Sequence, residues 1–367
     1  MNFRLLLIAV LVFSGADGSA RCGDNRSPEL ARVATSGIDG ATLDLLERNR
    51  VSFDQSFRDD TGIDGAEGIA NLLRTLNQRK LKFLELSEKY GQENFAKAIQ
   101  DLERYRESLD GMIAKLDRGE FEVVVFFKSP EIVGRILKGE SAKNYFETGA
   151  TSGSYDVLAR AAVEASFVGL KTDDYLRSIR EDMRPKYGIL RLKGEPVNQA
   201  ILRVARCYGA HALVFDGKRY IGQMTFSLGD SFDKIGGYLN RTGASDTLKK
   251  DHRAVCLPDW SYRLIPWQYR LLLAAYSLGA FSPRPCLDKP NTDLIPELQP
   301  LQMKRDRSFG LWYYEAQIWG RLDRSGLVGY EYYRDAGGPG GGYPELSAEA
   351  RSLGVTVKKV SDSECSN

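Results

Sequence analysis

Between Phe95 and Leu116 the apolar residues Phe95, Ile99, Leu102, Leu109, Met112 and Leu116 recur at helical steps, with Tyr105 or Arg106 filling the middle turn. That period predicts a helix with one buried face. An earlier run carries Leu73, Leu76, Leu84 and Tyr90 and stops at Gly91, so residues 64–118 are expected to form an antiparallel helical pair. At Glu122 the pattern changes. Glu122 to Lys128 (EVVVFFK) is an apolar run of strand length, and Ser129-Pro130 supplies a cap and a first-turn proline for a helix over Pro130 to Leu137. Helical patterns follow over Tyr155 to Phe167 and Asp173 to Glu181, before Pro185 ends the second and a strand opens near Gly188. Ala210 to Phe215 and Arg219 to Ser227, separated by Asp216-Gly217, predict a β-hairpin with a type I′ turn.

Further along, Asp233 to Leu239 and Trp267 to Leu278 read as helices, and the proline-dotted stretch from Pro283 to Pro300 as extended surface chain. Leu311 to Trp319 is aromatic and β-branched, as strands are. Gly337 to Gly342 is a flexible loop, and Pro344 to Leu353 with Val355 to Val360 predict a last helix and strand. Helices dominate early and strands later, which predicts an α+β fold: a helical pair, then a domain of short mixed or antiparallel strands over 119–360, then a tail at 361–367.

The first twenty residues are expected to be a signal peptide. Arg4 lies near the amino terminus, Leu5 to Phe13 is apolar but too short to span a bilayer, and Gly18-Ser19-Ala20 suits cleavage. Export follows, with a periplasmic or secreted destination. Residues 21–63 read as a polar, loosely attached lead-in with a short helix at Ala41 to Asn49, capped near Asp39. Of the 367 residues, 43% are apolar and 27% charged, an ordinary globular balance. A net charge of +2 gives no electrostatic case for nucleic acid or an anionic membrane. Arg270 argues against a membrane span in the apolar stretch around it. Cys22, Cys207, Cys256, Cys286 and Cys365 could pair in an oxidising compartment, with one left over. Their spacing, with only His211 and His252 to help, does not suit a metal site. His211 lies among apolar neighbours and is expected to be structural.

No phosphate-cradling glycine-lysine loop, nucleophile elbow or zinc-protease helix is present. Three separated segments carry the remaining candidate chemistry: Arg184 to Gly188 (RPKYG), Thr225 to Ser231 (TFSLGDS) and Tyr313 to Gly320 (YYEAQIWG). With Phe146 to Gly153 (FETGATSG) they resemble an uncharacterised bacterial domain-of-unknown-function family, number 3626, and more widely the ADP-ribosyltransferases. In those enzymes a basic residue, a hydroxyl and a glutamate on three strands surround NAD. The resemblance covers roughly Glu122 to Val360 and leaves the helical pair outside.

The resemblance implies NAD as substrate and Glu315 as the catalytic carboxylate, with Gln317 beside it. It implies Arg184, Tyr187, Gly188, Thr225, Ser227, Gly229, Asp230 and Ser231 as the dinucleotide site, and a protein acceptor of ADP-ribose. Cleaving the bond between nicotinamide and ribose builds positive charge on the sugar, which a fixed carboxylate stabilises. A guanidinium can grip a phosphate through its forked donors. The sequence departs from the family pattern at Lys128, Gln223 and Trp319. Glutamate also precedes glutamine, whereas the catalytic glutamate usually comes second. Those departures leave two readings: an exported mono-ADP-ribosyltransferase-like toxin or effector, or a non-catalytic secreted binding protein on the same scaffold. Alone, Glu315 and Gln317 are two apart on a strand and share a face whatever their role.

Overall fold

In the computed structural model, the described residues are 37–62, 65, 68–69, 111–149, 157–194, 208–227, 255–256, 263–273, 284–285, 314–333 and 343–360. The signal peptide, most of the helical pair, and the expected helix at 233–239 lie outside them. Residues 111–118 of the pair are helical.

The strands are β1 (Phe121–Phe127), β2 (Lys186–Leu192), β3 (His211–Asp216), β4 (Met224–Ser227), β5 (Val255–Cys256), β6 (Ile265–Pro266), β7 (Arg284–Pro285), β8 (Glu315–Ile318), β9 (Leu327–Tyr333) and β10 (Thr356–Val360). Eight of them form one sheet in the order β10-β9-β3-β1-β2-β8-β4-β6, and β5 pairs with β7 apart from it. Neighbours in the sheet are antiparallel except β9 and β10, which run parallel. With its helices this mixed sheet is an α+β fold.

Alternation along the strands divides the sheet into unlike faces. Val123, Val125, Leu190, Leu192, Leu213, Phe215, Met224, Phe226, Ala316, Ile318 and Tyr330 are buried together on one face. The helices are α1 (Gly40–Thr61), α2 (Pro130–Leu137), α3 (Tyr145–Thr148), α4 (Val157–Phe167), α5 (Thr172–Ser178) and α6 (Pro344–Ser352). Val133, Ile136 and Leu137 of α2 and Ala350 of α6 close over the apolar face. Helix α2 begins as the sequence predicts, with the Ser129 hydroxyl accepting from the Ile132 amide and proline in the first turn. The opposite face carries Glu122, Tyr187, Arg191, Thr225, Ser227, Glu315, Gln317 and Glu331.

Two sequence expectations are corrected. Residues Asp216-Gly217 do not close a hairpin: β3 pairs with β1 and β9, whereas β4 pairs with β6 and β8. Asp216 has φ −67° and so cannot take the positive φ of a type I′ turn; its side chain accepts from the Lys218 amide and caps a 3-10 helix over Gly217–Gln223. Gly217 is there because the Phe121 ring lies against its α-carbon, where a Cβ would come within 2.0 Å. Nor does the described part of the expected lead-in, residues 37–62, hang loosely. Helix α1 runs on to Thr61, packs against β6, and buries Leu45, Phe53 and Phe57 completely. Its Asp39 cap is as expected.

Candidate functional site

Strand β8 lies between β2 and β4, so its side chains sit in two cross-strand rows. In one row Glu315 is opposite Ile189 on β2 and Ser227 on β4; in the next Gln317 is opposite Tyr187 and Thr225. Period-two geometry turns Glu315, Gln317, Thr225, Ser227 and Tyr187 to the same face. Four of these join directly. Gln317 Nε2 donates to Glu315 Oε1 at 2.8 Å and to Ser227 Oγ at 3.3 Å, while Gln317 Oε1 accepts from the Thr225 hydroxyl at 3.2 Å. Trp319, the residue after β8, donates its indole N–H to Thr225 Oγ1 at 3.1 Å. Glu315 is 4% exposed and Gln317 fully buried. A polar cluster this deep is stable only when its donors and acceptors are matched.

Helix α4 lies behind Tyr187. Glu164 is buried and its two oxygens accept from Tyr187 OH at 2.8 Å and Tyr175 OH at 2.6 Å. Arg160, one turn earlier, completes the carboxylate's partners through Nε at 3.1 Å and lays its guanidinium over the Tyr187 ring at 4.4 Å. Burial pushes the Glu164 carboxyl above the usual carboxylate range, opposed by Arg160 and the two phenols. The Tyr187 and Tyr175 phenols are raised well above their ordinary value, first by burial and then by the neighbouring Glu164 charge.

Arg184 does not join Ser227 and Glu315. Its Nε and Nη2 donate to the carbonyls of Ile179 and Leu176 at the end of α5, at 3.1 and 3.0 Å, and its guanidinium stacks on Phe146 and Tyr175. It is thus held one layer back, capping a helix rather than facing the row of β8. Gly188 also turns away. A Cβ there would come within 2.7 Å of Val123 Cγ1 and 3.0 Å of Val125 Cγ2, so this glycine serves the apolar face and not the approach of a dinucleotide. Gly229, Asp230 and Ser231 lie outside the described residues. His211 is buried, with Nδ1 2.9 Å from Tyr330 OH, and burial lowers its pKa. Among the described residues no group of three His, Cys, Asp or Glu side chains is placed to hold a metal, and no helix is long and apolar enough to cross a membrane.

Sequence reasoning missed Arg160, Glu164, Tyr175 and the part played by Trp319. A signal for the first pair was present. In VLARAAVEASF, Arg160 and Glu164 are the only charged residues, one turn apart in an otherwise small and apolar helix. No protein-family model matches this chain, and no curated protein matches it either.

Proposed function

We propose that this exported protein binds NAD and acts as a mono-ADP-ribosyltransferase-like protein, with Glu315 as the carboxylate that stabilises the ribosyl cation. The observation that carries the reading is the direct cross-strand pairing of Ser227 with Glu315, linked by the Gln317 amide. A hydroxyl and a carboxylate held side by side on rigid strands suit a ribose ring, which offers both donors and acceptors. In the reaction the bond from ribose C1′ to the nicotinamide nitrogen breaks, nicotinamide leaves with the bonding electrons, and an acceptor nucleophile on a protein partner adds to C1′. Glu315 acts on the charge that develops between those events. The cation expected of Arg184 has a different candidate in Arg160, whose guanidinium lies against Tyr187 in the row beside Gln317.

Burial favours a second reading. Thr225, Ser227, Glu315 and Gln317 are all at most 4% exposed, and Gln317 bonds each of the other three, as in a structural network on a non-catalytic binding protein. Incubating the full chain with NAD separates the two. The transferase reading expects nicotinamide release that falls on the order of a hundred- to a thousand-fold in Glu315→Gln. That substitution retains an oxygen to accept from Gln317, so the fold is kept. No release from wild type, together with no NAD-dependent rise in melting temperature, overturns the transferase and leaves the binding protein.

A further inference from the structure

An indole has a single polar atom, and that atom can only donate. Trp319 Nε1 donates to Thr225 Oγ1, and the Thr225 hydroxyl gives its own hydrogen to Gln317 Oε1. With its oxygen engaged on that side, the Gln317 amide must present its NH2 group to Glu315 Oε1 and Ser227 Oγ. The far end of the chain is a carboxylate, which when ionised can only accept. Read from either end, the hydrogen bonds run in the same direction. Burial of all five side chains removes bulk water as an alternative partner at each link.

We infer that Trp319 is a positioning residue of this site, whose indole N–H backs the relay through Thr225 and Gln317 that ends on Glu315 as a hydrogen-bond acceptor. Its consequence for catalysis rests on the proposed role of Glu315; the relay itself does not. A donor aimed at the carboxylate favours the ionised form, the form that stabilising a ribosyl cation requires. The titratable groups beside Glu315 include Tyr187 on β2 and, behind it, Arg160 and Glu164 on α4. Strand β4 contributes the hydroxyls of Thr225 and Ser227 and no titratable group.

The test is a carbon-13 NMR titration of the glutamate carboxyls in the full chain without NAD, the Glu315 signal being assigned by its loss in Glu315→Gln. Trp319→Phe and Thr225→Val each remove one link, and each is expected to raise the Glu315 midpoint by about one pH unit. Thr225→Ser keeps the hydroxyl and is expected to leave the midpoint in place. Should Trp319→Phe fail to fold, Thr225→Val, which conserves shape, decides alone. A midpoint unmoved in the folded variants overturns the relay, because a Trp319 that merely fills space would give that result. Nicotinamide release is read separately. Shifted midpoints in a protein that releases no nicotinamide keep the relay and discard the transferase, and unmoved midpoints in one that does release it do the reverse.

Discussion

Glu331 on β9 and Glu315 on β8 lie on the same sheet face at nearly equal depth, 5% and 4% exposed, and different side chains reach them. Glu331 is an ion-pair carboxylate. Arg191 on β2 reaches past β1 and β3 to grip it with both terminal nitrogens, at 3.1 and 2.8 Å, while bonding Glu122 at 2.7 Å; Tyr333 OH adds a further bond at 2.6 Å. Glu315 accepts from the neutral amide of Gln317, with the hydroxyl of Thr225 and the indole of Trp319 behind it. A guanidinium clamp fixes a carboxylate by pairing its charge, whereas an amide from the same strand fixes one by hydrogen bonding.

The comparison breaks most visibly at its ionic end. Arg191→Met is expected to destabilise the fold by about 3–5 kcal/mol in urea denaturation, because Glu331 is left buried without its counter-charge. A loss below about 1 kcal/mol would show that the clamp is replaceable. On the apolar face, Gly188→Ala drives a methyl into Val123 and Val125 and is expected to cost about 1–3 kcal/mol by the same measurement. A neutral outcome there would mean that β1 can shift away from β2.

Lys186, beside the site, sharpens the contrast through pH. Burial lowers its ammonium to about 8, and its Nζ donates to the carbonyl of Gly320 at 2.8 Å with Glu147 3.8 Å away. Between about 8 and the unfolded value of 10.5 the unfolded chain holds more protons on this group. Stability should therefore rise with pH across that window, by at most about 1.4 kcal/mol per pH unit, and flatten outside it. Lys186→Met should remove the slope in denaturation curves taken from pH 7 to 11. The smallest effect is expected at the neutral end of the comparison. Glu315→Gln should change stability by less than about 1 kcal/mol, since Gln317 keeps an acceptor, and a larger loss would place Glu315 among the structural carboxylates.

Elements set by local chemistry were legible from the sequence. EVVVFFK followed by Ser-Pro announced β1 and α2, and Pro344 with the alternation after Val355 announced α6 and β10. The shared face of Glu315 and Gln317 also followed from their spacing alone. Partnerships between distant strands were not legible. Asp216-Gly217 is a turn signal that the chain uses as a 3-10 cap, because Phe121 and Tyr220 occupy the space a tight hairpin would need. Arg184 carries the right group for a phosphate, but nothing in RPKYG reveals that the carbonyls of Leu176 and Ile179 claim it first. Glu122, Arg191 and Glu331 come together only through a register that runs across four strands. Trp319 stood out in sequence only as a departure from a pattern; its donor role depends on Thr225 being one strand away.

Gly320 follows Trp319 directly and has φ 79°, with the carbonyl oxygen of Gly37 only 2.4 Å from where a Cβ would stand. Its amide donates to Met183 O at 2.8 Å, and the next amide, of Arg321, donates to Gly37 O at 2.9 Å. The indole is consequently moored to a stretch of backbone nearly three hundred residues upstream. The residues that enter the first helix and those that leave strand β8 thus share one backbone seam.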